Sequence, residues 1–159
     1  VVNAKTASLF SAACQDGSIS ANASNTEINA LKSFGTNFGM TFQLVDDAID
    51  YSSNKKILGK NTGDDFKEGK ITLPIILAYG RSNEKEKKFW KRTISELNQE
   101  EGDFDNALDI INKYQCIQDT ITRANHFSNV AIDSIDIFKN NIFKEKLAAL
   151  VSTSISRIY

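Results

Sequence analysis

Apolar residues recur at intervals of three and four along most of the chain, which is the spacing of an α-helix with one buried face. The clearest run lies in the centre, where Thr26 is predicted to cap a long helix with Glu27 in its first turn. The inward positions of this helix are Ile28, Leu31, Phe34, Phe38, Phe42, Val45 and Ile49. Gly35 and Gly39 lie one turn apart in it, and a neighbouring helix is expected to approach closely there.

Shorter helices are predicted on both sides of the central one. The pattern indicates them over residues 4–14, 73–79 and 83–98, from 103, from 114 to about 138 and from 143 to about 157, with ends at Gly17 and Gly80 and caps at Asn83 and Asp103. One proline and eight glycines in 159 residues leave few breaks between them. The fold class is therefore predicted to be all-α.

Three carboxylates interrupt the apolar pattern near the end of the central helix. Asp46 and Asp50 lie one helical turn apart on the same face, and Asp47 lies about 100° around the axis from Asp46. A solvated acidic face is the ordinary interpretation of such a group. The apolar residues on all sides count against it, because burying unpaired carboxylates is costly. The spacing therefore predicts a site for Mg²⁺, which prefers carboxylate oxygens and often carries a substrate phosphate.

A polar segment rich in glycine and lysine follows these carboxylates. It reads Gly59-Lys60-Asn61-Thr62-Gly63-Asp64-Asp65-Phe66-Lys67-Glu68-Gly69-Lys70-Ile71-Thr72-Leu73-Pro74. Glycines let a loop fold back on itself, and the ammonium groups of Lys60 and Lys70 supply compact positive charge for a phosphate. We expect this loop to face the carboxylates, so that metal and diphosphate bind together.

Residues 42–51, which read Phe-Gln-Leu-Val-Asp-Asp-Ala-Ile-Asp-Tyr, and the segment from Gly59 to Pro74 resemble the second aspartate-rich region of the trans-type polyprenyl diphosphate synthases. The resemblance is greatest to the bacterial octaprenyl-like branch. Upstream, Lys5-Thr6-Ala7-Ser8-Leu9-Phe10 resembles the element that precedes this region in the family. The motifs occur in the family's order. The resemblance implies an isoprenoid-synthase-type helical bundle, in which Gly35 and Gly39 would also leave room for a prenyl chain.

The resemblance also implies roles for single residues. Asp46, Asp47 and Asp50 would bind Mg²⁺, while Lys5, Lys60 and Lys70 would contact diphosphate, Thr6 and Gln43 would direct oxygens toward the cationic carbon, and Phe42 would line the prenyl pocket. Lys5, Thr6 and Gln43 are accordingly the predicted catalytic residues. The implied reaction condenses an allylic prenyl diphosphate with isopentenyl diphosphate.

Some elements of the family's pattern have no counterpart in this sequence. The first aspartate-rich motif, the arginine pair that follows it and a basic site for isopentenyl diphosphate are all lacking. Residues 1–159 are therefore expected to be the C-terminal half of a polyprenyl synthase domain, inactive alone. The expected partners are the missing N-terminal half and, in the intact enzyme, a second copy in a homodimer.

Other functions remain open at this point. A non-catalytic subunit of a two-chain synthase would keep the fold and lose half of the site. A terpene cyclase-like protein would use the same ionisation, although cyclases usually have an Asn, Ser/Thr and Glu arrangement in place of this cluster. A purely structural helical module would need solvated acids, and Mg²⁺-dependent binding of pyrophosphate would separate it from the other three.

Composition narrows the partners and the compartment. A charged fraction of 25% and a net charge of −1 give no basic surface for nucleic acid. No apolar run is long enough to span a bilayer, so cytoplasm is the expected location. Cys14 and Cys116 are predicted to be reduced core residues, and His126 is assigned no role. Arg157 is a candidate contact for the diphosphate or simply a favourable charge at a helix end.

Overall fold

The computed structural model describes residues 6–52 and 62–157, and every regular element in these ranges is helical. The helices are α1 (Ser8–Ser20), α2 (Asn25–Asp50), α3 (Asp64–Lys67), α4 (Leu73–Arg81), α5 (Glu84–Trp90), a π-helical segment (Lys91–Ser95), α6 (Asp103–Lys113), α7 (Cys116–Ser134) and α8 (Ile142–Ser156). The predicted all-α class is confirmed. In the described ranges, none of the helices has the length and apolar character that crossing a membrane requires.

The chain divides into two compact units. The first unit comprises Val1–Val45 and Thr122–Tyr159, and the second comprises Asp46–Ile121. Helices α2 and α7 each contribute residues to both units, so a unit boundary falls within a continuous helix. The two units have separate hydrophobic cores.

The first unit is built from long helices that meet through small residues. Its core consists of Phe34, Ala131, Ile135 and Val151, with Cys14, Leu31, Phe38, Ile132, Phe138 and Leu147 packed against it. A Cβ added at Gly35 would lie 2.5 Å from the carbonyl oxygen of Phe10, and one at Gly39 would lie 2.6 Å from the Cα of Ala7. The predicted close helix approach is confirmed, because no larger residue fits between α1 and α2 without movement.

The second unit is built from short helices around large aromatic side chains. Its core consists of Tyr51, Phe66, Ile75, Ala78, Trp90, Ile94, Ala107, Ile110, Ile111 and Cys116. Trp90 is 1% exposed, and its indole N–H donates to the hydroxyl of Ser82 at 3.1 Å. The indole thereby keeps a hydrogen bond inside an otherwise apolar core.

Several predicted helix ends are wrong. Gly17 lies within α1 and Gly80 within α4, so neither glycine ends a helix. The predicted cap at Asp103 is also wrong, because Gly102 precedes the helix and Asp103 is its first residue. The Asp103 carboxylate instead accepts from the Arg92 guanidinium at 2.7 and 2.9 Å. That pairing holds the pKa of Asp103 below its usual range.

The start of the central helix lies two residues earlier than predicted. Helix α2 begins at Asn25, and the carboxylate of Glu27 accepts from both the backbone N–H and the hydroxyl of Ser24. The Glu27 N–H in turn points to the Ser24 hydroxyl at 3.4 Å. Ser24 rather than Thr26 is therefore the N-cap of this helix, where it interacts with a backbone N–H group that has no partner within the helix.

The prediction at Asn83 is confirmed, but the helix that it caps is not uniform. Asn83 accepts from the N–H of Glu86 and Glu86 accepts from the N–H of Asn83, which is a complete capping box. Regular helix ends at Trp90 and changes to the π-helical segment, and Leu97 follows with a φ of +51°. The extra residue in the π-turn shifts the side chains that follow it relative to a regular helix.

Both cysteines are free thiols, as predicted. Cys116 is fully buried, and Cys14 is partly buried against the core of the first unit. Burial raises the pKa of each thiol. The Arg81 guanidinium opposes this shift at Cys116 without cancelling it, and the Cys116 thiol lacks the accessibility of a reactive cysteine.

Candidate functional site

The three predicted metal ligands lie in the last turns of α2, in the second unit. Asp47 is 3% exposed, and Asp46 and Asp50 are partly buried. Burial raises the pKa of the Asp50 carboxyl, and the charge of Asp65 raises it further. Backbone N–H groups of Asp65 and Asp64 oppose this shift without cancelling it. Asp50 therefore sits where a nearby positive charge would be favourable.

Helix α3 docks onto the end of α2 through Asp50. The N–H of Gly63 donates to the Asp50 carbonyl oxygen at 2.9 Å, and the N–H of Asp65 donates to the Asp50 carboxylate at 3.0 Å. Gly63 has a φ of +85°, and a Cβ there would lie 2.6 Å from the ring of Phe104. Only glycine meets both the backbone angle and the space at this turn.

The side chain of Lys70 also contacts Asp65, in α3. Its ammonium group lies 2.9 Å from a carboxylate oxygen of Asp65 and 2.8 Å from one of Glu68. These two carboxylates, Glu68 first, raise the pKa of Lys70 well above its usual range. Gly69 has a φ of +64°, which turns the chain just before Lys70. The structure thus brings Lys70 and Asp50, two predicted site residues, to a common neighbour.

That common neighbour, Asp65, is a residue that the sequence interpretation did not assign to the site. It uses its backbone N–H on Asp50 and its carboxylate on Lys70. Its place five residues before Lys70 and two after Gly63 is a signal that could have identified it, since a tight turn brings such positions together.

Two other predicted residues meet in the first unit. The hydroxyl of Thr6 donates to the side-chain oxygen of Gln43 at 2.5 Å, and Gln43 is 6% exposed. Phe42, beside Gln43, packs against Phe10 with ring centroids 5.7 Å apart. The guanidinium of Arg157 lies over the ring of Phe42, 5.1 Å from its centroid. The fold therefore brings Thr6 and Gln43, two predicted site residues, into direct contact.

Lys5 and Lys60 lie outside the described residues, so their predicted roles stay predictions. Within residues 6–52 and 62–157, no three histidine, cysteine, aspartate or glutamate side chains converge closely enough to hold a metal ion by themselves. The α2 carboxylates are hard oxygen donors of the kind that Mg²⁺ prefers. They fit this ion where water and a diphosphate supply the remaining oxygens, which is its usual environment in phosphate sites.

Comparisons with known sequences identify one family. The Polyprenyl synthetase family matches residues 1–111 of this chain. The octaprenyl diphosphate synthase of Haemophilus influenzae is 35% identical over 100% of the chain and 48% of its own length. The geranylgeranyl diphosphate synthase of Sulfolobus acidocaldarius is 32% identical over 86% of the chain and 41% of its own length. The chain spans about half the length of the curated relatives it matches.

Solved structures give the same result. A polyprenyl synthase from Roseobacter denitrificans superposes with a TM-score of 0.92 at 37% identity, covering 99% of this chain and 51% of that one. A polyprenyl synthase from Caulobacter crescentus, complexed with calcium and isoprenyl diphosphate, superposes with a TM-score of 0.91 at 40% identity and covers 99% and 48%. The predicted isoprenoid-synthase-type helical fold is confirmed. By sequence and by fold, this chain belongs to the polyprenyl synthetase family.

Proposed function

We propose that this chain supplies the Mg²⁺ and diphosphate site of a polyprenyl diphosphate synthase. The reaction condenses an allylic prenyl diphosphate with isopentenyl diphosphate and so lengthens a prenyl chain in isoprenoid biosynthesis. The observation that carries this proposal is the placement of a lysine ammonium and a helical carboxylate around Asp65, at the end of α2. Membership of the polyprenyl synthetase family supports prenyl transfer as the reaction that this polar cluster serves.

In this proposal Asp46, Asp47 and Asp50 hold Mg²⁺. The ion, when bound, neutralises charge on the leaving diphosphate so that its bond to the allylic carbon ionises more easily. Lys70 donates to a diphosphate oxygen, and Lys5 and Lys60 are assigned the same task from the sequence. The raised pKa of Asp50 supports this assignment, because the attraction of a bound cation would offset the burial and the Asp65 repulsion that raise it.

Thr6, Gln43 and Phe42 are assigned to the carbon end of the substrate. The hydroxyl oxygen of Thr6 retains lone pairs after its proton is donated to Gln43, and those lone pairs stabilise positive charge on the allylic carbon. Phe42 presents an aromatic wall to the prenyl chain. The double bond of isopentenyl diphosphate then attacks the allylic cation, and loss of a proton completes the condensation.

We further propose that residues 1–159 act as the C-terminal half of a synthase domain, which would be inactive alone. Two facts support this: the chain spans about half the length of its curated relatives, and its sequence has a single helical aspartate-rich run. The proposed partners are an N-terminal half with the other acidic cluster and, in the intact enzyme, a second copy.

Titration calorimetry with inorganic pyrophosphate tests the proposed site. The chain is expected to bind pyrophosphate in the presence of Mg²⁺, and Asp46→Ala is expected to weaken binding by about 10-fold to 100-fold, as loss of a metal-site contact does. Asp105→Ala, at an exposed carboxylate of α6 in the same unit, is the matched control and should bind normally. Equal heats for the unchanged chain and Asp46→Ala would refute the assignment.

A further inference from the structure

Helix α3 contains one residue, Asp65, that contacts both a candidate metal ligand and a candidate diphosphate contact. The backbone N–H of Asp65 donates to the Asp50 carboxylate at 3.0 Å, and the Asp65 carboxylate accepts from the Lys70 ammonium at 2.9 Å. The Asp65 side chain is only 15% exposed, whereas the Lys70 side chain is 41% exposed. The less mobile, more buried partner of this ion pair is therefore Asp65.

We infer that Asp65 is a positioning residue that holds the Lys70 ammonium beside the Asp50 carboxylate for diphosphate. It acts through its two neighbours and does not touch substrate itself. The inference rests on the proposed function and deepens it by adding a residue that the family resemblance did not single out.

The need for such a residue follows from the chemistry of lysine. Its ammonium group stands on a flexible four-carbon stem, and restricting that stem costs conformational entropy. Two carboxylates, Asp65 at 2.9 Å and Glu68 at 2.8 Å, restrict Lys70 before any ligand arrives. The ammonium has three donors, so two can serve these carboxylates and one stays available for a phosphate oxygen.

The local backbone supports the same geometry. The N–H of Lys70 donates to the carbonyl oxygen of Asp65 at 2.9 Å, and the N–H of Gly69 donates to that of Phe66 at 3.0 Å. These bonds close the turn that returns Lys70 to Asp65. Phe66, 2% exposed, anchors the turn in the core of the second unit. Asp65 is thus held by a hydrogen-bonded turn that is packed into the core, and a positioning residue requires such rigid support.

An opposite role is also chemically reasonable, and it predicts the opposite sign. If Asp65 competed with diphosphate for Lys70, its neutralisation would free the ammonium and tighten pyrophosphate binding. If Asp65 positions Lys70, neutralising Asp65 leaves the Lys70 side chain less restricted and weakens pyrophosphate binding. The sign of one affinity change therefore decides between the two roles.

The neighbouring Asp64 provides a matched control. It has the same charge and precedes Asp65 directly, but its side chain is 52% exposed and pairs with Lys67 at 3.3 Å. Asp64→Asn removes the same formal charge from the same turn without touching Lys70. Any general electrostatic effect of losing one carboxylate should therefore appear equally in both variants.

The test measures Mg²⁺-dependent binding of inorganic pyrophosphate by calorimetry. Asp65→Asn, which retains the backbone N–H to Asp50, is expected to weaken binding about 10-fold, the lower end for loss of a contact to a metal-site ligand. Asp64→Asn should stay within about two-fold of the unchanged chain. In a Lys70→Met background, Asp65→Asn should weaken pyrophosphate binding further by less than about two-fold, because the ammonium group that Asp65 positions is gone.

Three results would overturn the inference: tighter binding by Asp65→Asn, equal effects of Asp65→Asn and Asp64→Asn, or a full additional loss in the Lys70→Met background. Circular-dichroism melting checks that each variant is folded. Asp65→Ser, which also keeps the N–H and removes the carboxylate, is expected to reproduce the Asn result, and normal binding by either folded variant counts against the inference. An absence of Mg²⁺-dependent pyrophosphate binding by the unchanged chain would instead refute the proposed function, and this inference with it.

Discussion

The two compact units solve the problem of burying apolar surface in different ways. In the first, long helices pack through small residues, and Gly35 and Gly39 let α1 approach α2. In the second, short helices enclose large aromatic side chains, and turns at Gly63 and Gly69 direct polar groups. The comparison teaches that periodic spacing determines packing in the first unit, whereas single turn residues determine chemistry in the second.

The largest expected effect comes from removing one buried aromatic ring in each unit. Phe34 is 1% exposed and Phe66 is 2% exposed, so Phe34→Ala and Phe66→Ala should each lower the free energy of unfolding by about 3–5 kcal/mol. Phe66→Ala should in addition weaken Mg²⁺-dependent pyrophosphate binding, because α3 carries Asp65. Urea unfolding measures the first quantity, and calorimetry on the folded variants measures the second.

The comparison fails if binding responds equally to both changes. A loss of pyrophosphate affinity in Phe34→Ala as large as in Phe66→Ala would mean that the site does not depend on the turns of the second unit. Phe34→Leu and Phe66→Leu serve as milder controls, since they keep most of the apolar volume.

An effect of intermediate size on stability is expected at Gly35, where α1 closely approaches α2. Gly35→Ala places a Cβ against the backbone of Phe10 and should destabilise the chain by about 1–3 kcal/mol through overpacking. Gly17→Ala is the matched control, because Gly17 lies in α1 with no atom within 4 Å of an added Cβ. It should instead raise stability by about 0.5–1 kcal/mol through helix propensity. Thermal melts that shift in the same direction would contradict the role given to Gly35.

The smallest effect is expected at Asp50, and its size depends on pH. Because burial and Asp65 raise the pKa of Asp50 in the folded chain, its stabilising protonated form is lost as the pH rises through that raised pKa. Without divalent ions, Asp50→Asn should therefore melt higher than the unchanged chain at neutral pH. The difference should disappear below the ordinary carboxyl pKa of about 3.9.

Adding Mg²⁺ and pyrophosphate at neutral pH should reverse this difference, so that the unchanged chain melts higher than Asp50→Asn. Mg²⁺ with pyrophosphate stabilises only a chain that binds them, so the unchanged chain should gain melting temperature and Asp50→Asn should gain little. A variant that melts lower than the unchanged chain in the absence of ligand would show that Asp50 is not under electrostatic strain.

Much of the helical framework could be predicted from sequence because it depends on local rules. The three-and-four spacing in α2 and the capping residue Asn83 both act within one or two turns. Gly17 and Gly80 were wrongly predicted to end helices, because a glycine costs a helix only about 1 kcal/mol and tertiary packing exceeds that. Ser24 and Thr26 are both capping residue types, but only Ser24 stands three residues before Glu27, the capping-box spacing that the structure shows.

The candidate site could be predicted only in part. Thr6 and Gln43 were each identified from a motif, but the hydrogen bond that joins them across 37 positions was not predicted. The contacts of Asp65 depend on positive φ angles at Gly63 and Gly69, which no periodic pattern encodes. Mg²⁺ itself and the roles of all the predicted site residues stay predictions, as does a cytoplasmic location.

The burial of Trp90 has a spectroscopic consequence. It is the only tryptophan in the sequence and belongs to the second unit, where the core excludes water from its indole. Intrinsic fluorescence excited at the indole band therefore reports on that unit alone, while far-ultraviolet ellipticity averages over all the helices. The chain thus carries its own optical probe for telling the unfolding of one unit from that of the other.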